Sequence, residues 1–134
     1  MATNPEELLE LTLAGGREAP ARARMALKGL NGSLAGLAQS VRLLVSELVT
    51  NAVRHGPGGS DATVSLVLAT SRGGVRVEVR DSGPGFEPPS ERTEPLRDGF
   101  GLALLDQLAD RWGVTVDRGT SVWFEIDRPT GSGS

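Results

Sequence analysis

Apolar residues recur along this chain with two periods, and the switches between them mark its elements. From Leu9 to Leu13 every second position is apolar (Leu9, Leu11, Leu13), the two-residue period of a half-buried strand, and Gly15-Gly16 ends the run. Within Leu8 to Leu13 this predicts a short strand, suited to a sheet edge. Glu18-Ala19-Pro20 then opens a helix, because proline in a first turn gives up an N–H that has no helical partner. Ala23, Ala26, Leu27 and Leu30 supply its buried side, and Asn31-Gly32 predicts its end. Ser33 is a candidate cap for a second helix running to about His55. Its stripe is Leu34, Leu37, Val41, Leu44, Val45, Leu48 and Ala52, and Gly56-Pro57-Gly58-Gly59 stops it.

The period then returns to two. Val64, Leu66 and Leu68 alternate within Thr63 to Ala69, Arg72-Gly73-Gly74 supplies a turn, and Val75, Val77 and Val79 form the return strand. Phe86 to Asp98 has three prolines, six charges and no usable period, so it reads as a loop long enough to be functional. Gly99-Phe100-Gly101 leads into a helix with Leu102, Leu105, Leu108 and Ala109 on one side, expected to end at Trp112-Gly113. Two strands, Val114 to Asp117 and Ser121 to Asp127, close the chain. Strands that arrive as hairpins, not as alternating strand–helix units, predict an α+β fold: a two-layer sandwich of one mixed sheet covered on one face by three helices. Residues 1–129 are expected to form one domain and residues 130–134 a flexible tail.

Composition narrows the function classes. A chain of 134 residues can hold a real core, and with aromatics at 4% that core must be aliphatic. The formal net charge of -3 argues against a general nucleic-acid surface, which needs clustered Lys and Arg. Without cysteine there is no disulfide scaffold and no thiolate metal site. No apolar run reaches the roughly 20 residues of a membrane span, and the acidic, polar N-terminus is unlike a secretory signal. A cytoplasmic protein that engages neither membrane nor nucleic acid is expected.

Three constellations carry candidate chemistry. Glu47, Asn51 and His55 recur every four residues on the second helix, which stacks them on one side of it. A carboxylate and an amide within an apolar helix are costly unless something pairs with them. Taken singly they have plainer readings: Glu47 could reach solvent from the stripe's edge, and His55 could finish the helix where a cation is favoured. Asp81-Ser82-Gly83-Pro84-Gly85 follows a strand, so the sheet would hold the Asp81 carboxylate toward an exocyclic amine. Gly83 and Gly85 would let the backbone approach a flat ring. Gly99-Phe100-Gly101-Leu102 opens a helix, whose free N–H groups suit a phosphate. Neither a P-loop nor a dinucleotide fingerprint is present.

In this order the three sets resemble the boxes of the GHKL ATPase superfamily, the group of histidine kinases, MutL and heat-shock chaperone ATPases. Glu47-x-x-x-Asn51 is similar to its N box, Asp81-x-Gly83-x-Gly85 to its G1 box and Gly99-x-Gly101 to its G2 box. The intervening loop is similar to its ATP lid, and Gly119-Thr120 to a late threonine near the adenine. The run Ser46 to Gly56, the short lid and Gly119 to Glu125 most resemble RsbW-like anti-sigma factor kinases.

The resemblance implies the fold of that superfamily and the cofactors ATP and Mg²⁺. It implies that Asp81 accepts from the adenine amine, Asn51 ligates the metal and Glu47 is the general base. Gly99, Phe100, Gly101 and Leu102 would line the phosphate site, and Thr120 would support Asp81 or a bridging water. It also implies a serine/threonine kinase that phosphorylates a STAS-domain anti-anti-sigma protein, sequesters a sigma factor and can form a homodimer. Arg24 is similar to a family arginine that contacts the sigma factor. Arg92 and Arg97 of the lid could reach the γ-phosphate, but a solvated charged loop is the preferred reading of them. The alternatives are an ATP-binding sequestering module without kinase activity, which has no need of Glu47, and a histidine kinase-like catalytic domain. The last would normally follow phosphoacceptor helices that this sequence lacks.

Overall fold

A computed structural model describes residues 7–14, 16–30, 32, 34, 36–55, 63–81, 102–116 and 119–128. In order these form β1 (Glu7–Ala14), α1 (Ala19–Lys28), α2 (Ala38–His55), β2 (Thr63–Thr70), β3 (Gly74–Asp81), α3 (Leu102–Leu108), β4 (Arg111–Val116) and β5 (Thr120–Asp127). The strands form one five-stranded sheet in the order β1-β2-β3-β5-β4.

The α+β sandwich with three helices is as expected, with one correction. Every ladder in the sheet is antiparallel, so among the described residues it is not mixed. The connections explain this. Two helices separate β1 from β2, so the chain leaves one end of the sheet and returns to it, and β2 runs back alongside β1. Among the described residues one helix lies between β3 and β4, and these two strands do run the same way. But β5 is inserted between them, pairing Val79 with Val122 on one side and Val114 with Val122 on the other. A parallel contact is thereby replaced by two antiparallel ones.

One side of the sheet is aliphatic and lies under the helices. Val64, Leu66 and Leu68 of β2, Val75, Val77 and Val79 of β3, and Val122, Phe124 and Ile126 of β5 alternate onto it. They meet Ala23 and Leu27 of α1, Val41, Leu44, Val45, Leu48 and Val49 of α2, and Leu105 of α3 in a continuous core. Removing each such side chain from water is worth about 1.5–3 kcal/mol. No helix in the described residues is long and apolar enough to cross a membrane.

Two helix boundaries differ from expectation. The stripe at Leu34 and Leu37 predicts helix from Ser33, yet α2 begins at Ala38. Gly36 sits at φ +83°, a left-handed conformation that cannot continue a right-handed helix. Leu34 and Leu37 are nonetheless buried, held by turn hydrogen bonds from Leu34 N–H to Leu30 O and from Leu37 N–H to Leu34 O. Ser33 itself lies outside the described residues, as does the Asn31 stop signal. The third helix ends at Leu108, four residues early, and Trp112 and Gly113 belong to β4. The chain is captured by the sheet there: Asp110 N–H donates to Glu125 O at 2.8 Å, and Trp112 Nε1–H ties β4 back to Asp106 of α3 at 2.9 Å.

The other side of the sheet is polar. Arg76 lies over the Trp123 ring at 4.6 Å and pairs with Glu125 at 3.0 Å. Arg111 pairs with Glu125 at 2.7 Å and with Asp127 at 2.5 Å. Arg111 first, and then Arg76, hold the Glu125 carboxyl below its ordinary range. Trp123 stands opposite Gly113, where an added Cβ would come within 2.6 Å of the indole Nε1. Gly113→Ala is therefore expected to cost about 1–3 kcal/mol through overpacking, read as a lower urea midpoint. An unchanged midpoint would mean that the indole moves aside freely.

Candidate nucleotide site

The sheet has two ends of different character. Ala14, Thr63, Asp81, Val116 and Thr120 share one end. β2 begins at this end with Thr63, and α2 packs on β2 and β3. The inner-face positions that bury valine in mid-sheet carry polar groups here. Asp81 follows Val75, Val77 and Val79 on β3, and Thr120 precedes Val122 and Phe124 on β5. Both are buried, Asp81 at 4% and Thr120 at 3% exposure. The Thr120 backbone N–H donates to Asp81 Oδ1 at 3.0 Å, which holds that oxygen of the carboxylate toward β5.

Asn51 faces the core from α2 at 2% exposure, and its Nδ2 has no hydrogen-bond partner among the described residues. A buried polar group left this way costs about 1–3 kcal/mol. A half-turn of the carboxamide exchanges its oxygen and nitrogen, so the same group can present an acceptor. Glu47, one turn earlier, is only partly buried. Four residues advance a helix by about 40° beyond a full turn, so the polar line drifts from the margin at Glu47 into the interior at Asn51. His55 closes α2, and its side chain is not among those described. Leu102 opens α3. Gly83, Gly85, the lid with Arg92 and Arg97, Gly99, Phe100 and Gly101 lie outside the described residues, as does the tail at 130–134.

Of the residues expected at the site, Asp81, Asn51 and Thr120 are buried, and Asp81 and Thr120 are joined by a hydrogen bond at one end of the sheet. The sequence reading did not foresee that the Thr120 contact is made by the backbone. Every residue type but proline offers that N–H, so its role in the contact leaves no side-chain signal in the sequence. Arg24 is exposed on α1 and donates to Ser46 Oγ of α2 at 3.0 Å, beside Glu47 in sequence.

A concavity of about 300 Å³ lies at the opposite end, between Thr70, Gly74, Arg76, Arg111, Glu125 and Asp127. Thr70 Oγ1 is buried there without a partner among the described residues. The guanidinium and carboxylate groups lining it already neutralise one another. It offers no uncompensated charge to a phosphate, and the buried Asp81 carboxylate lies at the other end of the sheet.

Residues 12–126 match the family model described as the histidine kinase-like ATPase domain. The chain belongs to this family. Within the histidine kinase-like ATPases it is 31% identical over 96 residues to the anti-sigma F factor of Geobacillus stearothermophilus. That match covers 63% of this chain and 66% of the relative, just under two thirds of its length. It is 35% identical over 100 residues to the sensor-type histidine kinase PrrB of Mycobacterium leprae, covering 66% of this chain and 22% of that kinase. The fold is similar to that of the RsbU and RsbW domains of Rv1364c from Mycobacterium tuberculosis. The TM-score is 0.65 at 24% identity, over 93% of this chain and 34% of that one.

The residues present would fit the magnesium ion that the sequence resemblance implies. Among the described residues no three His, Asp or Glu cluster into a metal cage. Mg²⁺ needs none when phosphates and waters supply most of its oxygens, and one buried amide oxygen is a fitting protein ligand.

Proposed function

We propose that this chain is an ATP-dependent serine/threonine kinase of the anti-sigma type. It would bind Mg-ATP at the Asp81 end of the sheet and phosphorylate a STAS-domain anti-anti-sigma protein. The observation that carries the reading is a pair of buried polar groups, Asp81 anchored by the Thr120 N–H and Asn51, whose amide Nδ2 has no partner among the described residues. The similarity to anti-sigma F factors supports the choice of partner class.

On this reading Asp81, already oriented by Thr120, accepts a hydrogen bond from the adenine amine. Gly83 and Gly85 let the backbone reach the ring. Asn51 offers its amide oxygen to the metal, and Gly99, Phe100, Gly101 and Leu102 hold the phosphates at the start of α3. Magnesium, when bound, supplies neutralising charge on the phosphate oxygens. Glu47, on the solvent side of Asn51, takes the proton of the partner's hydroxyl as its oxygen forms a bond to the γ-phosphorus. The bond to the bridging oxygen breaks and ADP leaves. The chain's part is mainly positioning and charge placement, the usual source of phosphoryl-transfer catalysis. Partial exposure of Glu47 suits a base whose proton donor arrives on a second protein.

The assay that tests this is transfer of label from γ-³²P-ATP to a STAS-domain protein encoded in the same genome. Label on a serine or threonine of that protein is expected. Tight ATP binding without transfer to any such protein would leave a sequestering module. For the metal ligand, Asn51→Ala is expected to weaken ATP binding about tenfold with Mg²⁺ present, the scale of one polar contact. With EDTA the variant and the unmodified protein should bind alike. An equal loss in both conditions would remove Asn51 from the metal.

A further inference from the structure

Ser121 is an anomaly on the polar side of the sheet. Side chains alternate along a strand, so Thr120 points toward the helices and Ser121 away from them. Trp123, Glu125 and Asp127 share that outer side and are all at least partly exposed, yet Ser121 is only 3% exposed. Its hydroxyl donates to Glu78 Oε2. In the ladder Ser121 stands opposite Arg80 and Trp123 opposite Glu78, so this bond runs diagonally across the last two same-face pairs of β3 and β5. Glu78 is also distinct among its neighbours. The nearby acids Glu125 and Asp127 are paired with arginines, whereas the contact that Glu78 makes here is to a neutral hydroxyl.

The position of this bond gives it leverage. Ser121 directly follows Thr120, whose N–H orients Asp81 through a buried hydrogen bond of 3.0 Å. On the other side of Thr120 stands Gly119, which has no side chain with which to anchor the peptide. The buried Ser121 side chain therefore adds an anchor, on the outer side of the sheet, next to the residue whose N–H holds Asp81. Glu78 lies three residues before Asp81 on the same strand.

We propose that Glu78 and Ser121 are positioning residues for nucleotide recognition, clamping β3 to β5 from the outer side so that the Thr120 N–H fixes Asp81 for adenine. The inference rests on the reading of Asp81 as the adenine acceptor. Neither residue touches the nucleotide. Their effect falls on the discrimination of the base, which a general contribution to stability would not alter.

The test compares affinities for ATP and ITP, whose base carries a ring carbonyl where adenine has its amine. The unmodified protein should prefer ATP. Glu78→Ala and Ser121→Ala should each lower that preference about fivefold or more, the scale of one lost hydrogen bond. The double variant should lose no more than either single one, because both remove the same bond. Glu78→Gln, whose amide oxygen still accepts from Ser121, should keep most of the preference. Arg76→Ala, which breaks an ion pair on the same side of the sheet, should leave it unchanged.

A preference for ATP that survives both alanine variants would overturn the positioning role while leaving Asp81 in place. Additive losses in the double variant would overturn the clamp. If the unmodified protein binds ATP and ITP alike, the Asp81 reading fails and this inference with it.

Discussion

Asp81→Asn should abolish ATP binding, with affinity falling about 10²-fold or more. The substitution is nearly isosteric, so the fold should survive it. Asparagine can still accept the Thr120 N–H on its single oxygen, as Asp81 Oδ1 does at 3.0 Å. Its second terminus is then an NH₂ group where the carboxylate had an oxygen. That group faces the adenine amine donor to donor. One charge-assisted hydrogen bond, worth about 1.5–3 kcal/mol, is lost, and a desolvated donor is left without an acceptor. Calorimetric titration with Mg-ATP checks this, alongside thermal unfolding as the control for folding. Near-normal affinity would remove Asp81 from the adenine.

The second large effect is expected at Glu47. Glu47→Ala should leave ATP affinity little changed and lower the rate of phosphate transfer about 10²-fold or more, the usual contribution of a general base. Glu47 is partly exposed at the margin of the α2 stripe, so truncation opens no cavity in the core. Single-turnover transfer from prebound ATP separates the chemical step from nucleotide binding. Normal transfer by Glu47→Ala would assign the base elsewhere. Loss of ATP affinity without loss of transfer rate would make Glu47 a binding group instead.

The sequence disclosed the element types well because burial leaves a periodic trace. Val64, Leu66 and Leu68 could face a core together only from a strand, and Val41, Leu44, Val45 and Leu48 only from a helix. It disclosed boundaries poorly where two conformations bury the same residues. Leu34 and Leu37 reach the core from turns as readily as from a helix, and the positive φ of Gly36 decided the matter. Trp112 fits a helix pattern and a strand pattern alike; its strand assignment follows from pairing with Phe124, a partner twelve residues away. The insertion of β5 between β3 and β4 is a long-range choice that no local pattern records. The site was legible to the extent that polar side chains interrupt apolar stripes, as Asn51 and Asp81 do. It was illegible where the backbone acts, as at the Thr120 N–H, and where an outer-side contact such as Glu78 with Ser121 resembles ordinary surface polarity.

The central claim is that Mg-ATP occupies the Asp81 end of the sheet. It is tested most directly by following backbone and side-chain amide signals in a ¹⁵N–¹H NMR titration with Mg-ATP. The Thr120 backbone amide, the Asp81 backbone amide and the Asn51 side-chain amide should show the largest shifts, saturating together. Gly74, Arg111 and Asp127 at the opposite end should scarcely move. Saturable shifts confined to Gly74, Arg111 and Asp127, with Thr120 and Asn51 unmoved, would contradict the account.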